Sequence, residues 1–269
     1  MEDQTTHTTP KRLRILGDDA IQALDGRPHC TDDERLKYCA LSLTEKTALA
    51  QLHSIKSRIY FLVQLGSFKS HHMVFVCDLP AVEQDARYVQ PQYFPDFPRD
   101  ALDITKVTRL RQQRLILGLF RYRTCDAEQR QALAAQARQA AMVSAKPISI
   151  FRALMHCLAA QRIVAPGYSF MHDTVGQALT HEQERLTTIV SQYLSAADVE
   201  NFNRLVEDVP GLYEMTQRKR EPRDFSASEI KRDIRRGEQI DDLYRLAQKL
   251  LPELKISNES IKSYASLVS

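Results

Sequence analysis

Glycine is scarce in this chain, and its scarcity already narrows the fold class. Only eight of the 269 residues are glycine, well below the usual fraction of ~7%. Strand-rich folds place glycine at their many tight turns, whereas helices need little of it. The composition therefore favours an all-α protein.

The sequence also lacks the marks of membrane-bound, secreted and metal-binding chains. No apolar run is long enough to span a bilayer, and the polar start, MEDQTTHTTP, contains no apolar signal segment. The five cysteines are scattered and form no CxxC pair, which favours reduced thiols over disulfides or a zinc site. We therefore expect a cytoplasmic protein without a cofactor or a metal ion.

Catalytic motifs are missing as well. The sequence contains no glycine-rich phosphate loop, no GxSxG and no HExxH. Most acidic residues fall at predicted helix starts, where capping and the helix dipole explain them. A DNA-cleaving enzyme would need a carboxylate cluster for metal ions, usually built on a core that contains strands. We therefore expect a protein that performs no chemistry.

Helix-start signals are abundant. Thr31 to Glu34 and Ser42 to Glu45 are capping boxes, in which a hydroxyl and a carboxylate each satisfy a free backbone N–H. Their closeness predicts two short helices in succession. A third box, Ser226 to Glu229, predicts a helix over 230–251 with a break at Gly237.

Prolines mark the expected interruptions between helices. Pro91, Pro95 and Pro98 predict a rigid non-helical connector. Pro147 ends an alanine-rich helix predicted over 126–144, and it supplies the predicted domain boundary. The expected division is a disordered tail at 1–12, an N-terminal helical subdomain at 13–145 and a second helical subdomain at 146–269.

A possible helix-turn-helix follows this boundary. One helix is predicted over 148–162, and a second begins at Phe170 with Ser169 as its cap. Two helices joined by a compact turn that contains glycine resemble a DNA-binding helix-turn-helix, although generic helix packing produces the same pattern more often. The pattern alone leaves both interpretations open.

The strongest local signal is a basic helix. From Ile104 to Arg123 the chain has six lysines and arginines and no Asp or Glu, which suits a polyanion such as a nucleic-acid backbone. A solvated helix face is the alternative. Val107, Leu110 and Arg114 recur at helical spacing. We therefore expect Arg114 to lie on the packed face and Arg109 to be the freest arginine.

Read together, several stretches resemble the N-terminal DNA-binding region, the DUF4158-like region, of transposases of the Tn3 family. They occur in the family's order and are RILGDDAIQAL, TDDERLKYCALS, SRIYFLVQLGSFK, TRLRQQRLILGLFRYR, QRIVAPGYS, RDFSASEI and LLPELKISNESIKSYASLV. The resemblance implies an all-helical bacterial protein that binds the terminal inverted repeats of a transposon. It also implies that the catalytic Asp-Asp-Glu domain lies downstream of these 269 residues.

On this reading the partner is double-stranded DNA, with transposase subunits as possible further partners and no membrane. Some of the arginines could also read guanine edges in the major groove. The predicted phosphate contacts are Lys56, Arg58, Lys106, Arg109, Arg111, Arg114, Arg121 and Arg123. A lesser set at the second turn comprises Arg162, Ser169 and His172.

Two rival functions stay open at this point. A helical module could bind transposase subunits or host proteins and use its arginines in salt bridges. RNA binding is disfavoured, because aromatic side chains interleave with the basic cluster only at Phe120 and Tyr122.

Overall fold

A computed structural model describes residues 13–26, 30–74, 79–97, 104–200 and 226–262. Within these ranges the fold is all-α, as predicted, and the only strand-like feature is one isolated bridge. The predicted tail at 1–12 lies outside the described residues. Ten helices lie entirely within these ranges: α1 (Asp18–Asp25), α2 (Asp32–Cys39), α3 (Leu43–Ala50), α4 (Ile55–His71), α5 (Leu79–Tyr93), α6 (Lys106–Phe120), α7 (Ala127–Val143), α8 (Pro147–Ala160), α9 (Tyr168–Tyr193) and α10 (Ala227–Leu254).

The chain forms two compact units that are discontinuous in sequence. The first unit comprises 1–137 and 147–176, and the second comprises 138–146 and 177–269. Helices α7 and α9 contribute residues to both units. The chain passes between the units at 137/138, 146/147 and 176/177, and the division into subdomains at 13–145 and 146–269 stays a prediction.

Helix α4 is the centre of the first unit. Every residue from Ile59 to Phe68 is buried, in a stretch of mostly apolar residues. Val89 of α5 and Ile116 and Leu117 of α6 complete a core cluster around it. Burying each large apolar side chain stabilises the fold by about 1.5–3 kcal/mol. The contact with α4 therefore fixes the position of α6.

The capping boxes are present where the sequence predicts the first two. The side chains of Thr31 and Ser42 each accept a hydrogen bond from the backbone N–H three residues later. In turn, the carboxylates of Glu34 and Glu45 accept from the backbone N–H groups of Thr31 and Ser42. At the third site, Ser226 accepts from the N–H of Glu229. The predicted break at Gly237 is wrong, since α10 continues to Leu254. Glycine lowers helix stability but removes no hydrogen bond, so it does not end the helix by itself.

The predicted connector at Pro91 is also partly wrong. Helix α5 runs through Pro91 to Tyr93. Near the end of a helix a proline removes one backbone donor, and tertiary contacts can offset that loss. Here Val89 is fully buried, and the Tyr93 hydroxyl donates to the Cys39 carbonyl at 2.8 Å. These contacts hold the last turn in helical form.

The predicted helix-turn-helix corresponds to α8 and α9. Residues 161–167 connect the two helices, which is longer than the three- to four-residue turn of a DNA-binding helix-turn-helix. Helix α8 buries Ile150, Phe151, Leu154 and Leu158. The pair therefore packs as two core helices, and no helix-turn-helix geometry is identified in it.

The second unit is joined by contacts between helix ends. Arg185 of α9 forms an ion pair with Glu182 at 2.7 Å and donates to the Leu254 carbonyl at 2.8 Å. The Ser257 hydroxyl donates to the Val143 carbonyl at 2.6 Å, and it accepts from the Ser260 N–H at 3.0 Å. No helix among the described residues combines the length and the apolar character needed to cross a bilayer.

Candidate nucleic-acid interface

Helix α6 is held in one rotation about its axis by a buried polar side chain. Gln112 is 1% exposed, and its Nε2 donates to the carbonyl and to the hydroxyl of Ser57 at 2.8 and 2.7 Å. Thr105 caps the helix by accepting from the Thr108 N–H at 3.3 Å. Because Gln112 and Ile116 are both buried, the opposite face of α6 is turned to solvent.

This rotation contradicts the predicted packing face. Val107 is 77% exposed and Leu110 is 43% exposed, and Arg114 is also exposed. Arg109, which the sequence predicted to be the freest arginine, is half-buried. The prediction was wrong because it counted apolar residues, whereas a glutamine with buried partners sets the orientation.

The exposed face of α6 gathers unpaired positive charge. Lys106, Arg111 and Arg114 are exposed and lie within an arc of about 140°, at ~100° per residue. Among the described residues, none of these three cations forms an ion pair. The sequence has no Asp or Glu from 104 to 125. We call these three residues the α6 cations.

Helices α6 and α8 end in the same way, with an arginine in left-handed backbone conformation. Arg121 has φ 58° and Arg162 has φ 53°. In each turn the next N–H reaches back five residues, from Tyr122 to Leu117 at 2.8 Å and from Ile163 to Leu158 at 2.9 Å. This is the Schellman motif, whose left-handed position is usually glycine. We call these the two arginine turns.

The two arginine turns are joined to each other through their backbones. The Arg123 N–H donates to the Arg162 carbonyl, and the Val164 N–H donates to the Arg123 carbonyl, both at 2.9 Å. These bonds form the isolated parallel bridge between Arg123 and Ile163. Arg121, Arg123 and Arg162 are all exposed. The fold thus brings together three arginines that lie up to 41 positions apart in the sequence.

Replacing Arg121 by glycine is expected to separate stability from binding. Glycine adopts the left-handed conformation without the cost of about 1–2 kcal/mol that other residues incur, partly offset by its greater freedom when unfolded. The free energy of unfolding should therefore be unchanged or up to about 1 kcal/mol higher. Binding to duplex DNA should weaken, with a salt slope shallower by about one.

Denaturation and fluorescence anisotropy measure the two effects, with Arg121→Lys as the variant that keeps the charge. An Arg121→Gly variant that loses stability and keeps the wild-type salt slope would show that the Arg121 side chain packs against the protein and makes no phosphate contact.

Other predicted contacts are used inside the fold. The Arg58 Nε donates to the Leu52 carbonyl at 2.7 Å. The ring Nε2 of His172 lies 2.9 Å from the Leu13 carbonyl, which only accepts, so Nε2 is the donor. Lys56 is half-buried. These three residues are not part of the exposed cationic surface on α6 and the arginine turns.

Ser169 is exposed, but its predicted capping role is wrong. Helix α9 begins at Tyr168, one residue before Ser169. The Tyr168 N–H donates to the Asp25 carboxylate, at 2.8 and 3.0 Å from its two oxygens. A carboxylate from α1 therefore satisfies the helix start that the sequence assigned to Ser169.

Arg58→Ala should destabilise the protein without a direct effect on DNA binding. The loss of a hydrogen bond between a charged group and a carbonyl costs about 1.5–3 kcal/mol. Chemical denaturation would measure this loss, and anisotropy well below the melting temperature would measure the affinity. Weaker DNA binding by the folded variant would instead support the predicted phosphate contact at Arg58.

Across the described ranges, no three His, Cys, Asp or Glu side chains lie close enough to hold a metal ion, and the four cysteines there are free thiols. Burial raises the pKa of the Cys39 thiol to about 11, so it is protonated and unreactive at neutral pH.

Comparison with protein families decides the classification. Residues 15–178 match the model described as Domain of unknown function (DUF4158). The chain belongs to the DUF4158 family. No curated protein matches the chain. The DUF4158 segment ends within α9, two residues after the first unit ends at Gly176, and it contains α6 and both arginine turns.

Proposed function

We propose that this DUF4158 protein binds double-stranded DNA, and that it does so sequence-specifically at the terminal inverted repeats of a transposon. The observation that carries the proposal is the set of α6 cations, which are exposed on one helix face without an acidic partner. A polyanion with regularly spaced phosphates is the ligand that matches such a surface.

The dimensions of α6 suit a major groove. A helix with its side chains is ~10–12 Å across, and the major groove of B-DNA is ~12 Å wide. Exposed lysines and arginines would neutralise phosphates, with each contact lowering log K by ~0.9 per unit of log salt. The arginine turns would add phosphate contacts beside the helix.

The transposon assignment rests on the resemblance of sequence stretches to Tn3-family transposases. The stretch TRLRQQRLILGLFRYR contains the α6 residues from Thr108 on together with Arg121 and Arg123, and QRIVAPGYS contains Arg162. The resemblance therefore covers most of the cationic surface described above. We propose that the 269 residues serve as the DNA-recognition region of a Tn3-like transposase and bind DNA without cutting it.

Selection from a pool of duplexes with a randomised central segment tests the proposal. We expect retained duplexes to converge on a consensus, which then matches the ends of the transposon that encodes the chain. The selected duplex should stay intact with Mg²⁺ or Mn²⁺. Retention without enrichment would reject sequence specificity, and no retention at low salt would reject DNA binding altogether.

A second candidate function is the binding of a partner protein, and one observation favours it. Helix α10 exposes several large apolar side chains, which are Ile230, Ile234, Ile240, Tyr244 and Leu251. Exposed apolar patches of this kind often mark protein contacts. Replacing Ile234 and Tyr244 by serine should weaken such an interaction and leave DNA affinity unchanged.

A further inference from the structure

The cationic face of α6 also carries two exposed apolar side chains. Val107 is 77% exposed and Leu110 is 43% exposed. A surface that only meets phosphates gains nothing from them, since phosphate contacts use charge and hydrogen bonds. Their presence between cations calls for a ligand that is apolar at its centre and anionic at its edges.

The order of side chains around the helix has that arrangement. Taking ~100° per residue from Lys106, Leu110 lies at about 40°, Val107 at about 100° and Arg111 at about 140°. Arg114 lies at about 80°, between the two apolar residues. Lys106 and Arg111 therefore flank a central strip formed by Leu110, Arg114 and Val107.

The major groove of DNA presents the complementary pattern. Its floor carries the thymine C5-methyl group and the guanine O6 and N7 acceptors, and its two rims are lined by phosphates. A partner protein would match this face of α6 only if it were itself acidic, because the apolar strip lies among several unpaired cations. Charge complementarity therefore favours DNA as the occupant.

We infer that Val107 and Leu110 determine sequence specificity by contacting thymine methyl groups in the major groove. Arg114 reads a neighbouring guanine edge, while Lys106 and Arg111 hold the phosphates of the two rims. This inference rests on the proposed function and adds to it the element that enters the groove and the bases that it reads.

The neighbouring Gly118 fits the same arrangement. It lies at about 120° on this face, and a Cβ added there would meet nothing within 4 Å. Alanine at this position should stabilise the helix, because glycine in a helix interior costs roughly 0.5–1 kcal/mol. If DNA approaches the backbone closely at Gly118, alanine would place its Cβ in the contact, whereas glycine leaves the backbone accessible.

Replacing thymine by uracil in the selected duplex tests the inference, because it removes only the methyl group. Burial of one carbon contributes ~0.8 kcal/mol to binding, so each lost methyl contact should weaken binding of the wild-type chain about fourfold. The double variant Val107→Ala with Leu110→Ala should bind the thymine and uracil duplexes equally. Both residues are exposed, so a melting curve should match that of the wild type.

Leu36→Ala is the matched control. Leu36 is 65% exposed on α2, whose first turn is acidic, and this variant should retain the full thymine preference. A Val107→Ala, Leu110→Ala chain that still prefers thymine, or that changes only its oligomeric state, would overturn the inference and leave DNA binding intact. Absence of any bound duplex with the wild type would instead reject the proposed function.

Discussion

Replacing the α6 cations Lys106, Arg111 and Arg114 together by alanine should weaken binding to the selected duplex by about 3 kcal/mol or more. The log–log salt slope should become shallower by about two, because Lys106 and Arg111 each neutralise a phosphate worth ~0.9. The larger share of the loss comes from Arg114 at the guanine edge. Anisotropy titrations over a series of salt concentrations measure both quantities.

The matched control removes the same charge from the second unit. Lys231, Arg235 and Lys249 are exposed cations on α10, and their triple alanine variant should keep the wild-type slope. Neither triple variant should unfold, since exposed charges contribute little to stability. Equal losses in the two variants would mean that only net charge matters, and α6 would then be an ordinary solvated helix face.

Gln112→Ala should lower the free energy of unfolding by about 2–4 kcal/mol. The substitution removes two buried hydrogen bonds to Ser57 and leaves the Ser57 hydroxyl without this partner. A buried polar group that loses its hydrogen-bond partner costs about 1–3 kcal/mol. It also opens a cavity, which adds a further cost. The urea midpoint, followed by circular dichroism, measures the change.

Gln113→Ala provides the control one position along the same helix. Gln113 is half-buried and makes no side-chain hydrogen bond to another described residue, so its removal should cost less than about 1 kcal/mol. Equal losses at the two positions would show that Gln112 does not orient α6 through Ser57.

The sequence predicted the elements whose signals are local. The capping boxes at Thr31 and Ser42 depend on residues three positions apart, and both are present. All residues from Ile59 to Phe68 of α4 are buried, so no buried face of this stretch had to be chosen from the sequence. The all-α fold class followed from low glycine content.

The rotation of α6 could not be predicted in the same way. Apolar periodicity placed Val107 and Leu110 in the core, whereas Gln112 is buried there through bonds to Ser57, 55 positions earlier. A partner so distant leaves no trace in a local pattern. Gln112 lies at the centre of a basic helix, but nothing in the sequence distinguishes it from a glutamine at the surface.

The arginine turns were missed for a related reason. Arg121 and Arg162 both adopt the left-handed conformation, where glycine is the expected residue. Sequence reasoning extended the helices over them, since arginine is a good helix former. Their pairing depends on the backbone bonds that Arg123 makes with Arg162 and Val164, which no side-chain pattern encodes.

Site-specific photocrosslinking tests the central claim, that the exposed face of α6 meets DNA, most directly. A benzophenone amino acid placed at Val107 should crosslink to the labelled selected duplex on irradiation, and the same group at Leu36 on the acidic helix α2 should not. Crosslinks from Leu36 but not from Val107, or a Val107 crosslink to protein alone, would contradict the account.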